Sequence, residues 1–296
     1  MLIAQLTLNA IALGAAYALV AIGFVLVLNA TTAVNFAHGE SVVAGGFAAV
    51  ALSGVISNIW PGAVPGIVLL PGVLALTAIL GLAIAALAYL PIRNRPPVTV
   101  FVTTIAFGII VTNGLNAGFG AGPRTVPALL GTGTIELLGI TASRQSLAII
   151  TTTTVLIGVL TFLLQRTQLG RQFRACAQDP EIARALGIRL TRITLLGFAL
   201  GTAFAGAAGL LLTHQFFVTP SDGASLILKA YIAVVIGGWG SLRGAALGAL
   251  LIAIFEVAVA SVSSQPLAEG LLYIAVLAVL FIRPEGIFGE PQRLRA

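Results

Sequence analysis

The side chains that could take part in chemistry are few in this chain, and several of them interrupt long apolar stretches. Asn35, His38 and Glu40 stand together where one such stretch begins, whereas Lys229 and Glu256 stand alone within two others. Ionisable groups inside membrane segments are costly, and each is a functional-site hypothesis by default. With only two histidines and no nucleophile beside an obvious base, the sequence predicts no catalytic site.

Metal, disulfide and nucleotide chemistry are also disfavoured. His38 and Glu40 alone provide too few ligands for a metal ion, and the single Cys176 cannot form an internal disulfide. The phosphate-binding pattern G-x-x-x-x-G-K-[ST] does not occur, since the only lysine is Lys229. We therefore expect no cofactor on this chain; if transport uses ATP, the nucleotide and Mg²⁺ belong to a separate ATPase chain.

The elements that position these residues are membrane helices. Only 8% of the residues are charged and the mean hydropathy is +1.09, whereas soluble domains carry about 25% charged residues. The net charge of +6 suits the arginine-rich loops of a polytopic protein better than nucleic-acid binding. We predict one all-α integral membrane domain over residues 1–296, with eight or nine spans and a retained first span rather than a signal peptide. The apolar segments lie at about 2–28, 37–58, 66–90, 98–119, 146–165, 193–213, 226–242, 245–262 and 267–282.

Arginine predicts which loops face the cytoplasm. Residues 166–192 hold six of the fifteen basic side chains, so this loop should be cytoplasmic. Counting spans from it places the 93–95 turn and the C-terminal tail on the same side. The N-terminus and the loops 120–145 and 214–225 fall outside, where 120–145 is either a docking surface for an extracytoplasmic partner or an ordinary connection.

Small residues and an internal repeat suggest how the helices pack. Glycines four apart, at 197 and 201 and at 240, 244 and 248, allow close helix approach. Residues 38–54 align with 222–238 at an offset of 184, with five identities in 17 positions. The predicted topology runs the two copies in opposite directions, which is the pattern of an inverted repeat with a central site between its halves.

Two polar or irregular stretches are candidates for the translocation pathway. The first comprises Asn35, His38, Gly39, Glu40 and Ser41, near the cytoplasmic side in this topology; its alternative is an interfacial helix start with Asn35 as the cap and Glu40 in the first turn. The second comprises Gly237, Gly238, Trp239, Gly240 and Ser241, because irregular backbone at membrane depth survives only when buried or lining a cavity.

Lys229 and Glu256 fit structural ion pairing better than substrate binding. Lys229 is placed near the outer end of its span, from which it could snorkel to the surface. Glu256 lies deeper and needs a partner, for which Arg243 and Lys229 both qualify.

The cytoplasmic loop contains helix-start and helix-stop signals. Asp179, Pro180 and Glu181 suit a helix N-terminus, and Gly187 suits its end. The two turns between them place Ile182, Ala185 and Leu186 on one face and Arg184 near the other; Ala183 completes the segment. Such a short helix is marginal in water alone, so it either rests on lipid headgroups or docks onto a soluble partner.

The segment AQDPEIARALGI resembles the coupling motif of ABC importer permeases, with Asp179-Pro180-Glu181-Ile182-Ala183 where that motif favours Glu-Ala-Ala. Together with VNFAHGE at 34–40, GGWGSLRG at 237–244 and RPEGIFG at 283–289, it resembles the LivH-type permeases of branched-chain amino acid importers across the whole chain. The resemblance implies a second related permease, two cytoplasmic ATPases and a periplasmic or extracellular substrate-binding protein. It also implies that helix 180–186 couples ATPase closure to alternating access.

We therefore expect a multi-pass permease subunit of an ATP-driven importer in the bacterial inner membrane, not an enzyme. Its substrates would be branched-chain or related amino acids. Alternatives are an ABC permease for urea or short amides, and a stand-alone secondary transporter or channel. The absence of an evident pair of carboxylates in mid-membrane argues against the latter.

Overall fold

The computed structural model describes residues 2–58, 64–131, 133–137 and 140–282, and these are mostly helical. Eight helices are long and apolar enough to cross a membrane, and a ninth apolar helix is shorter. This confirms the predicted polytopic helical bundle. The helices are α1 (Leu2–Thr31), α2 (His38–Ile56), α3 (Leu70–Ala83), α4 (Pro97–Phe119), α5 (Arg144–Arg166), α6 (Gln168–Gln178), α7 (Pro180–Ala185), α8 (Leu190–Phe216), α9 (Gly223–Gly237), α10 (Leu242–Ala260) and α11 (Gln265–Ile282).

Two local features are additional to the predicted helices. The third span is composite, because a 3₁₀ turn (Gly66–Leu69) precedes α3 and a π-helical turn (Ile84–Tyr89) with a second 3₁₀ turn (Leu90–Ile92) follows it. The loop after α4 contains an antiparallel hairpin of β1 (Thr134–Leu137) and β2 (Ile140–Ser143). Neither changes the fold class.

The core is built around α1 and α8, which are the most buried spans. They run antiparallel and pack through glycines: Gly201 of α8 lies against the Gly23 carbonyl, and Gly197 lies against Ala30. α1 also packs on α10, whereas α8 packs on α3. This reciprocal arrangement is what an inverted repeat with α1 and α8 as equivalent helices would produce.

Contacts between loops support the predicted sidedness. On one side the Arg93 guanidinium donates a hydrogen bond to the Thr191 hydroxyl over 2.9 Å, which joins the 93–95 turn to the arginine-rich loop. On the other side Arg124 and Val218 exchange backbone hydrogen bonds of 2.9 Å, which joins the two predicted external loops. The C-terminal tail lies outside the described residues.

The depth at which α2 and α9 begin corrects the prediction. His38 contacts Val20, eleven residues before the end of α1, so α2 begins about 16 Å along the axis from that end rather than near the cytoplasmic surface. Gly223 lies against Gly39, so α9 also begins deep in the bundle and not at the outer surface. A hydrogen-bonded turn precedes each of the two helices. Before α2 the Asn35 carbonyl accepts from the His38 N–H over 3.3 Å, and before α9 the Thr219 carbonyl accepts from the Asp222 N–H over 3.2 Å.

Those two turns are related by the offset of 184, and so are the touching glycines. Equivalent positions of two copies can meet only near the axis that relates them. The repeat in the sequence therefore corresponds to a structural junction, in which the N-termini of two helices face each other inside the bundle.

Candidate functional site

Glu40 occupies the junction between the two helix N-termini. A Cβ atom placed on Gly223 would lie 2.9 Å from Glu40 Oε1, and one placed on Gly108 of α4 would lie 3.2 Å from Glu40 Oε2. Oε2 is buried and has no hydrogen-bond partner among the described residues. The carboxylate lies where two helix N-termini concentrate partial positive charge, which favours a negative group.

The other residues of the predicted 35–41 stretch are buried around this junction. The His38 ring is fully buried, with Nε2 3.0 Å from the Val20 carbonyl oxygen and an edge-to-face contact to Phe24. The Asn35 side chain accepts from the Ala37 N–H over 3.1 Å, so it stabilises the approach to α2. The N-cap of α2 is Ala37 rather than Asn35. The Ser41 hydroxyl donates to the Ala37 carbonyl over 3.0 Å.

The predicted break at 237–241 is present. α9 ends at Gly237, and Gly238 and Gly240 adopt positive φ angles of 104° and 80° that favour glycine. Asn29 Nδ2 donates to the Gly240 carbonyl over 3.0 Å, and Ser241 caps α10 by accepting from the Gly244 N–H. Because Asn29 is in the last turn of α1, the break lies near one end of the bundle and not at mid-depth.

A cluster of charged side chains surrounds Lys229. Its Nζ donates to Glu256 Oε1 over 3.0 Å, to Glu269 Oε1 over 2.9 Å and to the Tyr17 hydroxyl over 3.0 Å. Tyr17 in turn donates to Glu256 Oε2 over 3.1 Å, and Gln265 Nε2 donates to Glu256 Oε1. Lys229 and Glu256 are 7% and 2% exposed. α1, α9, α10 and α11 thus share one buried polar cluster.

The cluster opens onto a cavity of about 240 Å³. Its polar wall is formed by the Lys229 cluster, together with Asp222 and Ser225 at the start of α9. Its opposite wall is apolar and includes Leu212, Phe216 and Val218. The C-terminal end of α8 and the residues after it form this wall, so the cavity lies in the half of the bundle away from α7. Neither 35–41 nor 237–241 lines it in the described part of the chain, although Val42 and Val43 do.

The predicted coupling helix forms as α7. Asp179 Oδ1 accepts from the N–H groups of Glu181 and Ile182 over 2.9 and 3.0 Å. Gly187 has a φ of 81°, and the N–H groups of Gly187 and Ile188 bond back to Arg184 and Ala183. This is the Schellman pattern that satisfies the last carbonyls of a helix.

α7 has one buried position and an apolar surface that no described residue covers. Ala183 is 1% exposed, whereas Ile182 and Leu186 are 59% and 75% exposed. Pro180, Glu181, Arg184 and Ala185 are also exposed. The helix is therefore anchored through Ala183 and presents Ile182 and Leu186 outward.

A second helix in the same loop, α6, was not predicted. Gly170, Phe173 and Cys176 form its buried face. Phe173 lies against Gly197 of α8, and a Cβ atom on Gly170 would overlap the Leu164 carbonyl of α5. Burial raises the pKa of the Cys176 thiol. α6 thus connects α7 to two membrane spans without a flexible linker. The spacing of its buried residues, one in every three, was the signal in the sequence from which this helix could have been predicted.

Comparison with known proteins identifies the family. The profile described as "Branched-chain amino acid transport system / permease component" matches residues 6–280. The chain belongs to the branched-chain amino acid permease family. The permease is 30% identical to the high-affinity branched-chain amino acid transport system permease protein BraD of Pseudomonas aeruginosa, over 97% of this chain and 96% of BraD. It is 31% identical to LivH of Escherichia coli over the same shares of the two chains. No solved structure matches it.

The structure corrects one sequence interpretation of this permease and resolves another. Lys229 does not snorkel to the surface, because its ammonium is enclosed by Tyr17, Glu256 and Glu269; of the two predicted partners for Glu256, Lys229 is the one that binds it. The structure also contains a pair of carboxylates that the sequence did not reveal, near the adjoining ends of α10 and α11 rather than in mid-membrane. Glu256 and Glu269 both lie within 3.0 Å of the same ammonium.

Glu269 and Tyr17 are the residues that sequence reasoning missed. Glu269 is in the first turns of α11 and Tyr17 is in the middle of α1, so neither is near Lys229 in sequence. The only signal in the sequence was that a buried lysine must have partners.

Proposed function

We propose that this chain is the permease subunit of an ATP-driven importer for branched-chain or related amino acids. In this proposal the permease lies in the bacterial inner membrane with a second, related permease subunit. A periplasmic or extracellular binding protein delivers the substrate. Two cytoplasmic ATPase subunits bind ATP and Mg²⁺, and the permease alternates between outward and inward access.

The observation that carries this proposal is the construction of α7. The helix has both ends capped, is anchored through Ala183 and leaves Ile182 and Leu186 exposed on the arginine-rich side. An amphipathic helix of two turns requires a partner surface to be stable. A groove in a soluble ATPase would bury the two apolar side chains, and α6 would transmit the movement of α7 to α5 and α8.

A helix that merely rests on lipid headgroups would bury the same two side chains, so an experiment must separate the possibilities. The full-length permease is purified in detergent from its native host, and the co-purifying ATPase is quantified. We expect Leu186→Asp to reduce bound ATPase at least tenfold, because the variant places a charge at the centre of the contact.

Val262→Asp is the matched control. Val262 is 86% exposed and follows α10 at the opposite end of the bundle, so the same exchange should leave ATPase binding intact. Equal ATPase binding by both variants and the wild-type chain would contradict the coupling role of α7.

Glu256 and Glu269 favour one rival, a secondary transporter that couples amino-acid uptake to an ion. The rival predicts uptake by this chain alone in proteoliposomes without ATP, whereas the proposed importer requires ATP and the complete complex. The same assay with labelled leucine and labelled urea decides between amino acids and amides.

A further inference from the structure

The cavity beside Lys229 has the size and accessibility of a site for a small metabolite. Its volume is about 240 Å³, and sites for drug-sized ligands occupy about 300–1,000 Å³. It combines an apolar wall with convergent polar groups, as binding sites usually do. Glu269 retains 34% side-chain exposure, so the charged wall is accessible rather than sealed.

The charged wall has an excess of negative charge. All three donors of the Lys229 ammonium are engaged by Tyr17, Glu256 and Glu269. One carboxylate would suffice to balance this ammonium, and the second is in excess. Asp222 adds a further carboxylate to the lining, but its two oxygens accept from the Thr219 N–H and hydroxyl over 2.7 Å. Glu269 is about one-third exposed, so its charge is partly hydrated, and the excess of carboxylates along the cavity attracts a cationic group.

The start of α9 offers the complementary feature on the same face of the helix. Glu40 Oε1 lies beside Gly223, but no side chain among the described residues accepts a hydrogen bond from this N-terminus, and its first N–H groups lack intrahelical partners. Ser225 and Lys229 both line the cavity and are four residues apart, which is about 6 Å along the helix. A small ligand in this cavity therefore lies beside both the start of α9 and the Lys229 cluster.

The facing wall is apolar and lies within the same small volume. Leu212, Phe216 and Val218 contribute to it. A ligand held by both of its charged groups would place an aliphatic side chain against these residues and remove that side chain from water.

We propose that this cavity binds a zwitterionic aliphatic amino acid within the permease. Its α-ammonium group is held by the carboxylates of Glu256 and Glu269, and its α-carboxylate faces the first turn of α9. The groups that contact the permease here are those of the transported substrate, so this site rests on the proposed function. Lys229 acts as a positioning residue that holds the two glutamates together.

The test is direct binding to the full-length permease in nanodiscs, with any subunits that remain bound to it. Four probes are compared by thermal unfolding and equilibrium titration: leucine, 3-methylbutylamine, 4-methylpentanoate and sodium chloride. Leucine should bind most tightly, and 3-methylbutylamine, which keeps only the cation, should bind more weakly. Neither 4-methylpentanoate nor sodium should bind. Equal binding of leucine and 4-methylpentanoate, stabilisation by sodium alone, or no binding of leucine would overturn the proposal.

Glu269→Gln removes the excess charge while retaining an oxygen for Lys229, and it should weaken leucine binding at least about tenfold. Glu290→Gln is the matched acid-to-amide control, in the C-terminal tail, and should bind leucine as the wild-type chain does. Unchanged leucine affinity in Glu269→Gln would also refute the site. The probe series uses the wild-type chain, so it remains decisive if a variant fails to fold.

The two proposals fail separately. ATP-dependent leucine uptake by the complete complex, with no leucine binding to the permease itself, would remove this site and leave the importer. Leucine binding to the permease, with uptake that needs no ATP, would retain the site and remove the importer.

Discussion

The junction between α2 and α9 makes the sharpest structural prediction. A Cβ atom at Gly39 would lie 2.0 Å from the carbonyl oxygen of Gly223, well inside the 3.0 Å that real Cβ contacts respect. The two helix N-termini would have to separate by about 1 Å, and overpacking of a close-packed interior costs about 1–3 kcal/mol. Gly39→Ala should therefore destabilise the permease.

Gly54→Ala is an internal control in the same helix. A Cβ atom at Gly54 meets nothing within 4 Å, and both substitutions gain a similar helix propensity of up to about 1 kcal/mol. The propensity gain cancels in the comparison, so the difference between the two variants isolates the contact. At roughly 2–4 °C per kcal/mol for larger domains, Gly39→Ala should unfold several degrees below Gly54→Ala.

Thermal unfolding of the purified permease, followed by size-exclusion chromatography after heating, measures this difference. Uptake by the complete transporter should fall in Gly39→Ala, since the junction positions Glu40. If Gly39→Ala proved as stable as Gly54→Ala, the two helix ends would not be in contact, and the structural basis for the inverted repeat would be lost.

The remaining predictions concern the charged cluster and the coupling loop. Lys229→Met should destabilise the permease by about 3–5 kcal/mol because it leaves a buried carboxylate unpaired, and adding Glu256→Gln should recover part of that loss in the same unfolding assay; no recovery would indicate that the pair is not coupled. Asp179→Ala should remove about 1 kcal/mol of helix stability and lower the amount of co-purifying ATPase severalfold, whereas Asp179→Asn, which still caps, should retain most of it; equal loss in both would assign the effect to charge. Cys176 should react with maleimide much more slowly at neutral pH than a cysteine introduced as Leu186→Cys, because burial limits access and its raised pKa leaves less thiolate. Its rate should approach that of an ordinary thiol on unfolding, and rapid labelling of native Cys176 would contradict its burial.

Features set by local chemistry followed from the sequence. Hydropathy predicted the spans, and the distribution of arginine predicted which loops share one side of the bundle, because a residue's transfer between water and lipid depends on its own side chain. Capping is equally local: the Asp179 side chain bonds N–H groups two and three residues away, and Gly187 supplies its own positive φ. These interactions form within one turn of a helix, so the residue types alone were sufficient.

Features set by contacts between distant segments required the tertiary structure. The depth at which α2 and α9 begin depends on where Gly39 meets Gly223, and hydropathy does not report this because both helices are predominantly apolar. The Lys229 cluster joins Tyr17, 212 residues away, to Glu256 and Glu269. A buried lysine requires partners, which the sequence could predict; which carboxylates approach it is decided by the packing of α1, α9, α10 and α11 around one cavity.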